Sequence, residues 1–391
     1  MKVLIIIPAY NEEKCIRPAY NAIYSLLAQN NIDCEFIFVD DYSSDDTVEK
    51  FSSLTQNDSR FTILKQEKRS DPFQARKRGV GAAVGKYIMF LDADDTFIPK
   101  ACETAYRTIV NKDADLVLFG SKPVKTGNIS QKVLNEYARY LRFEDKIRGI
   151  YSTKQECHAL YFKEAGFGFA TSLAKKIFKA NTLKQVMGEL NSELYLGYGQ
   201  DLYQLIATMS KTNSLYANNQ LILHNYFIGD GVTQLGQASI SIEKYKRIVS
   251  SANTYKAIEA FVLSSSLGEE EKTNALKCAK KGLLASAQKH LWQLSDDCLA
   301  EGITMLRNAW GNDYLNELPL ANNLSRIEKF ILGSSSTPED IKRDIRKALP
   351  SITSATIDQL TKEVDTYKNS ASYKIGYIIT TPIRWLARIF S

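Results

Sequence analysis

The chain has 391 residues, of which 44% are hydrophobic and 24% are charged, and its formal net charge at pH 7 is +6. This size predicts one large domain and a smaller one. The modest charge, without a dense Lys/Arg tract, argues against nucleic acid as a partner. The six Cys residues lack Cys-x-x-Cys spacing and indicate free thiols in a reducing compartment. No apolar run approaches the length of a membrane span, so we expect a cytoplasmic protein.

Buried strands alternate with amphipathic helices through the first 120 residues. Apolar runs predict strands at 3–7, 36–39, 61–64, 87–91 and 116–119. Helical spacing predicts helices at 16–27, 48–54 and 73–84. A strand, a helix and a second strand in close succession predict a right-handed parallel βαβ unit. The pattern therefore predicts an α/β fold.

Acidic residues follow two of these strands directly. Asp92, Asp94 and Asp95 follow the strand at 87–91, and Asp41 follows the strand at 36–39. Open α/β sheets bind ligands at the carboxyl ends of their strands, so both clusters should face one rim. Crowded carboxylates raise one another's pKa unless a cation lies between them, and hard oxygen ligands suit Mg²⁺ or Mn²⁺. The alternative for an isolated Asp-x-Asp is a solvated acidic turn.

Phosphate-binding loops rich in glycine are missing from the sequence. No Gly-x-Gly-x-x-Gly follows the first strand, and no Walker loop occurs. A phosphate at this rim would therefore be held by a metal and by cationic side chains.

Four motifs in order resemble family 2 glycosyltransferases of the GT-A fold. They are Ile-Ile-Ile-Pro-Ala-Tyr-Asn-Glu at 5–12, Val-Asp-Asp-Tyr-Ser-Ser-Asp-Asp-Thr at 39–47, Ala-Arg at 75–76 and Gly-Lys-Tyr-Ile-Met-Phe-Leu-Asp-Ala-Asp-Asp at 85–95. The resemblance implies a Rossmann-like, mostly parallel sheet flanked by helices. It also implies an inverting transferase that uses a nucleotide-diphospho-sugar donor and Mn²⁺ or Mg²⁺.

The resemblance also assigns roles to individual residues. Asp41 would bind the nucleotide base. Its carboxylate would accept a hydrogen bond from the imide N–H of uracil, which favours a UDP-sugar. The pocket for the nucleotide would be lined by Pro8, Tyr10, Glu12 and Asp92. Apart from the resemblance, the extra basic charge of Arg76 favours a contact with phosphate. The metal would be bound by Asp94, Asp95 and His224, although a single His is as readily a packed, hydrogen-bonded residue.

Two positions depart from the family pattern. Tyr42 stands where the family commonly has Gly, and Arg76-Lys77-Arg78-Gly79 stands where it commonly has Asn before a Gly. For Lys77 and Arg78, solvated side chains are as good an interpretation as contact with a diphosphate.

An inverting transfer needs a general base for the acceptor hydroxyl. In the family this base is an Asp, usually preceded by a Glu, at the start of a helix in the second half of the domain. The matching stretch is Gly-Tyr-Gly-Gln-Asp at 197–201, so Asp201 is the candidate and Gln200 replaces the usual acid. The alternative is that Asp201 only caps the helix, with Glu193 the next candidate base.

The sequence predicts three regions. A GT-A catalytic domain at 1–237 is followed by a helical domain at 238–333, and a linker, a helix and a basic amphipathic tail occupy 334–391. The aromatic loop at 166–171 would contact the acceptor or pack in the core. The tail, 372–391, combines aliphatic and aromatic residues with Lys and Arg and no acid, which is typical of a helix at an anionic membrane interface. Packing of the tail against the catalytic domain is the alternative.

Similar tails end many bacterial surface-polysaccharide glycosyltransferases, whose acceptors are often lipid-linked. We therefore expect a glycan or lipid-linked acceptor, a role in polysaccharide or capsule synthesis, and peripheral contact with the inner face of the cell membrane. The sequence leaves open whether the chain forms a homo-oligomer. Two other interpretations are a haloacid-dehalogenase-type phosphatase with Asp92 as nucleophile, and an inactive glycosyltransferase-like scaffold.

Overall fold

The computed structural model describes residues 2–29, 32–56, 58–125, 135, 148–164, 171–191, 193–228 and 239–311. The chain divides into two compact units. The first comprises Met1–Gln237 and Ser250–Leu283, and the second comprises Ala238–Val249 and the chain from Leu284 onward. Residues 250–283 thus belong to the unit that contains the sheet, although the sequence predicts them in the helical domain at 238–333.

The described part of the first unit contains one mixed sheet. Its strands are β1 (Lys2–Ala9), β2 (Asp33–Asp40), β3 (Phe61–Lys65), β4 (Tyr87–Phe90), β5 (Thr96–Phe97), β6 (Leu116–Lys125), β7 (Arg148–Tyr151), β8 (Lys176–Lys179) and β9 (Leu215–Ile228). The strand order is β3-β2-β1-β4-β8-β6-β9-β5, and β7 also pairs with β9. The first four strands in this order are parallel, whereas β8 is antiparallel to both of its neighbours. The parallel half confirms the predicted βαβ units, and the remainder of the sheet is mixed.

The helices follow the strands in the alternating pattern of an α/β fold. They are α1 (Ile16–Gln29), α2 (Thr47–Thr55), α3 (Pro72–Ala82), α4 (Ala101–Lys112), α5 (Lys154–His158), α6 (Ala180–Glu189), α7 (Gln200–Lys211), α8 (Ile242–Val249), α9 (Ser251–Ser264), α10 (Glu269–Leu291) and α11 (Leu299–Trp310). The helices from α8 to α11 confirm the helical region that the sequence predicts after residue 238, as far as Trp310.

The central strands are buried on both faces. Residues Val3 to Ile7 of β1 are at most 2% exposed, as are Phe36, Phe38 and Val39 of β2. Parallel strands covered by helices on both sides have continuous apolar runs of this kind. Helix α3 lies close against β1, because a Cβ at Gly79 would be only 2.5 Å from the Ile6 Cγ2. This close approach fixes the position of Arg76, which lies one turn earlier on α3.

Some predicted features lie outside the described residues. These are the aromatic loop at 166–170, the linker and helix after residue 333, and the tail at 372–391. Among the helices that the structure describes, none has the length and apolar character needed to cross a membrane.

Candidate active site

The predicted nucleotide residues follow three neighbouring parallel strands. Pro8 on β1 is in register with Val39 on β2, and the Asp41 N–H donates to the Ala9 carbonyl at 2.8 Å. The Leu91 N–H, just past β4, donates to the Ile6 carbonyl at 3.0 Å. The structure therefore brings both acidic clusters to the same edge of the sheet, at the carboxyl ends of β1, β2 and β4.

The loops after β1 and β2 are locked together by hydrogen bonds. The Asn11 N–H donates to Ser43 Oγ at 2.9 Å, and the Ser44 N–H donates to Asn11 Oδ1 at 2.8 Å. The Glu12 N–H donates to Thr47 Oγ1 at 2.8 Å. Because these bonds involve main-chain groups on both loops, this end of the rim, where the sequence predicts the nucleotide, is preorganised.

The backbone at Tyr42 has the conformation that glycine favours. Its φ is +67°, in the left-handed region, and its side chain is 56% exposed. Glycine adopts this conformation without the Cβ clash that disfavours other residues. The Gly that the family commonly has at this position therefore suits the backbone, and Tyr42 adopts the same backbone at a cost.

Asp41 is buried and held by the residue that precedes the N-cap of α3. Its Oδ1 accepts the Ser70 N–H at 2.9 Å and the Ser70 hydroxyl at 2.5 Å. Burial raises the pKa of Asp41, and the bonds from Ser70 act against that shift. Within the described residues Oδ2 accepts no hydrogen bond, so it can accept from a ligand. Nearby, the Arg69 guanidinium lies 4.2 Å from the centre of the Tyr10 ring.

Arg76 joins three segments that are distant in sequence. Its side chain is 4% exposed, its Nη1 lies 2.6 Å from Asp201 Oδ1 and its Nη2 lies 2.9 Å from Asp92 Oδ1. Its buried Nε has no hydrogen-bond partner among the described residues. Arg76 therefore connects the acidic cluster after β4 to the start of α7, and its Nε–H can donate to a further acceptor.

Asp201 lies in a partly buried, cation-rich environment. Its side chain is 24% exposed, and burial raises its pKa against the opposing effects of Arg76 and Lys176. The Leu173 backbone also acts against the rise in the pKa of Asp201. Gly199, at φ +83°, is the N-cap residue of α7 and has no side chain to fill that role. The Asp201 carboxylate is bonded instead to Arg76, which lies outside its own helix.

Asp94 and Asp95 show the crowding that the sequence predicts. Burial and the neighbouring Asp95, Asp92 and Glu12 raise the pKa of Asp94 to about 8. Burial also raises the pKa of Asp95, whereas His224 lowers it. A carboxyl group under such repulsion favours a bound cation, so the oxygen ligands present here fit a divalent metal.

His224 reaches this cluster through the pairing of β5 with β9. It is in register with Phe97, and its Nε2 lies 3.2 Å from Asp95 Oδ2. The Phe227 N–H donates to Asp95 Oδ1 at 2.9 Å. Within the described residues no group of three or more His, Cys, Asp or Glu has the geometry of a metal site. The three-residue metal set therefore stays a prediction, with Asp94 the member least engaged by protein groups.

The sequence interpretation missed three residues of this site, namely Ser70, Asp71 and Lys176. Lys176 is fully buried in β8, and its Nζ donates to the Ser172 carbonyl at 2.5 Å. No local pattern separates such a lysine from a solvated one. Asp71 had a usable signal, because Asp followed by Pro72 is typical of a helix start.

The sequence is also similar to known proteins. Residues 4–168 match the family model described as "Glycosyl transferase family 2". "Glycosyltransferase GlyG" of Streptococcus pneumoniae serotype 4 is 32% identical over 116 residues, which are 30% of this chain and 38% of that protein. The Escherichia coli protein "UDP-Glc:alpha-D-GlcNAc-diphosphoundecaprenol beta-1,3-glucosyltransferase WfgD" is 38% identical over 126 residues, which are 32% of this chain and 47% of that protein. The chain thus spans less than half the length of either of these relatives.

A solved structure extends the likeness in fold to most of the chain. The crystal structure of S. aureus TarS 1-349 in complex with UDP has a TM-score of 0.55 and 17% sequence identity, and the match covers 93% of this chain and 92% of that one. At this identity the likeness shows the fold alone. It confirms the predicted GT-A architecture with helices after the sheet domain. Residues 4–168, which contain the acidic rim, are thus similar to the family 2 glycosyltransferases.

Proposed function

We propose that this protein is an inverting glycosyltransferase that moves a sugar from a nucleotide-diphospho-sugar to a hydroxyl group of a glycan or lipid-linked acceptor. The observation that supports this most is the position of Arg76 between Asp92 and Asp201. It joins the residue proposed to contact the donor to the residue proposed to act as base.

Asp201 is the proposed general base. In an inverting transfer the acceptor hydroxyl attacks the anomeric carbon from the side opposite the diphosphate and loses its proton to a carboxylate. The raised pKa of Asp201 makes this carboxylate more basic than an ordinary Asp and so better suited to take that proton. Arg76 would stabilise the charge of the departing diphosphate, since its Nε–H has no partner among the described residues.

The donor would bind along the rim formed by the loops after β1 and β2. Asp41 Oδ2 would accept from the base, Pro8, Tyr10 and Glu12 would line the pocket, and Asp92 would contact the ribose. A uridine nucleotide is favoured because it carries an imide donor for Asp41. The UDP in the TarS complex and the UDP-Glc in the name of WfgD support the same choice.

Asp94 and Asp95 would hold Mn²⁺ or Mg²⁺, which when bound neutralises the diphosphate. His224 is the third predicted ligand, and its contact with Asp95 also suits it to orient that carboxylate. The name of "Succinoglycan biosynthesis protein ExoO" of Rhizobium meliloti, which is 27% identical over 206 residues, supports a role in polysaccharide synthesis. The composition of the tail at 372–391 supports peripheral contact with the membrane.

Donor turnover without an acceptor tests this proposal. The purified chain with Mn²⁺ should hydrolyse one or more UDP-sugars slowly, and a panel of nucleoside diphosphates should raise its thermal midpoint most for UDP. The matched control is Asp201→Asn, which should keep the shift with UDP and lose turnover. An inactive scaffold would bind UDP without turnover in either protein, and that result would contradict the proposal. The match of residues 4–168 to the family 2 glycosyltransferase model favours this proposal over the phosphatase interpretation of Asp92.

A further inference from the structure

Asp71 connects the helix that bears Arg76 to the chain that leads to Asp201. Its side chain is buried, at 3% exposure. Oδ1 accepts the Gln74 N–H at 2.9 Å and so caps α3, whereas Oδ2 accepts the Leu196 N–H at 2.8 Å. The first bond is a helix cap, but the second joins residues 125 positions apart in sequence. One carboxylate therefore fixes both α3 and the residues before α7.

The residues before α7 form a tightly held approach segment, defined here as residues 193–199. Its carbonyls accept from α9, with Asn253 Nδ2 donating to Tyr195 O at 3.1 Å and the Thr254 hydroxyl donating to Tyr198 O at 2.7 Å. A Cβ at Gly197 would be 2.4 Å from the Tyr195 ring, so the backbone there lies directly against that ring. The approach segment therefore follows one specific path, and Asp71 supplies its bond to α3.

A second bond ties α3 to the chain just before the approach segment. Lys77 Nζ donates to the Leu190 carbonyl at 2.5 Å, at the C-terminus of α6. Arg76 lies between Asp71 and Lys77 on α3, so it is flanked by two bonds to this part of the chain. The 2.6 Å contact of Arg76 with Asp201 depends on this alignment of α3 with α7.

The same junction reaches the nucleotide side. Ser70 donates both its N–H and its hydroxyl to Asp41, and Asp71 is the next residue. Ser70 thus holds Asp41, the residue proposed to bind the nucleotide base. The next residue, Asp71, holds the approach segment that leads to Asp201, the proposed general base.

We propose that Asp71 is a positioning residue for sugar transfer: its buried carboxylate sets the placement of Asp201 relative to Arg76 and the donor through the Leu196 N–H. The inference rests on the proposed function. Asp71 does not touch the reacting atoms in this account. It acts by fixing the entry of the chain into α7, where Asp201 is the second residue.

Asp71→Ser tests this, because serine caps helices as well as aspartate but has one oxygen and cannot also reach Leu196. We expect UDP affinity, measured by calorimetry, to stay within about twofold, whereas turnover falls about 10- to 100-fold, the loss that a misplaced catalytic group produces. Asp71→Asn is the second variant, since its single amide oxygen can accept from the Gln74 N–H or the Leu196 N–H but not from both.

A double-variant comparison separates positioning from general damage. If Asp71 acts through Asp201, adding Asp71→Ser to Asp201→Asn should slow turnover by less than about twofold, because the group being positioned is already lost. Thr153→Ala is the matched control, because it removes a capping bond of the same kind, from the Glu156 N–H to Thr153 at the start of α5, and Thr153 bonds to neither Asp71 nor Leu196. It should lower the thermal midpoint and leave turnover unchanged.

Three results would overturn the inference. They are wild-type turnover in both Asp71 variants, an equal slowing of the wild type and of Asp201→Asn, and a loss of turnover in Thr153→Ala as large as that in Asp71→Ser. A wild-type protein that neither binds UDP nor turns over UDP-sugars would instead contradict the proposed function itself.

Discussion

Replacing Tyr42 with Gly should stabilise the protein, although it removes a large side chain. Tyr42 has a φ of +67°, which costs a non-glycine residue about 1–2 kcal/mol. Glycine loses more backbone entropy on folding, which offsets about 0.5–1 kcal/mol of that gain. The ring is 56% exposed, so little packing is lost. We expect a net gain of about 0.5–1 kcal/mol.

Thermal unfolding of three variants checks this reasoning. A gain of this size raises the midpoint by about 1–4 °C in a unit of this length. Tyr24→Gly is the matched control, because Tyr24 is 55% exposed but lies within helix α1, where glycine should lower stability by about 0.5 kcal/mol. Tyr42→Ala removes the ring and keeps the left-handed cost, so it should give no gain. If Tyr42→Gly lowered the midpoint as Tyr24→Gly does, the backbone argument would be wrong.

Three further outcomes are expected. Asp201→Asn should keep UDP affinity and slow transfer by about two to four orders of magnitude, and near wild-type transfer would move the search for the base to Glu193. The pKa of Asp94 is raised from 3.8 to about 8, so between these pH values the folded protein keeps a proton that the unfolded chain has released. The metal-free protein should therefore lose stability as pH rises through this range. Asp94→Asn should flatten that slope, and Mn²⁺ should raise the wild-type midpoint more at pH 8 than at pH 6; equal Mn²⁺ shifts in both proteins would count against Asp94 as a ligand. Full-length protein should sediment with anionic liposomes and a chain ending at Asn369 should not, and equal sedimentation would leave the tail as packed core.

Much of the fold could be predicted from local patterns. The runs Ile5-Ile6-Ile7 and Phe36-Ile37-Phe38 became adjacent parallel strands, because continuous apolar runs suit a sheet covered on both faces. The antiparallel insertion of β8 between β4 and β6 could not be predicted in this way. Its pairing depends on contacts between strands far apart in sequence, and Lys176 within it breaks the apolar pattern.

The acidic rim could also be predicted, since each cluster follows its strand directly. The connections between the clusters could not. Arg76 appeared in the sequence only as a candidate phosphate contact, yet it bonds to Asp92 and Asp201. The bond from the Leu196 N–H to Asp71 spans 125 residues and involves a main-chain donor, which leaves no trace in side-chain identity.

The burial of Arg76 has a practical consequence for ionic strength. Mobile ions screen exposed charges strongly and buried ion pairs much less, and the Arg76 side chain is only 4% exposed. The attraction between Arg76 and its two carboxylates should therefore change little between low and physiological salt. A basic tail that binds anionic lipid through Lys374, Arg384 and Arg388 would lose much of its attraction over the same range. If the tail binds the membrane as proposed, raising the salt concentration should detach the protein from it and leave the Arg76 ion pairs intact.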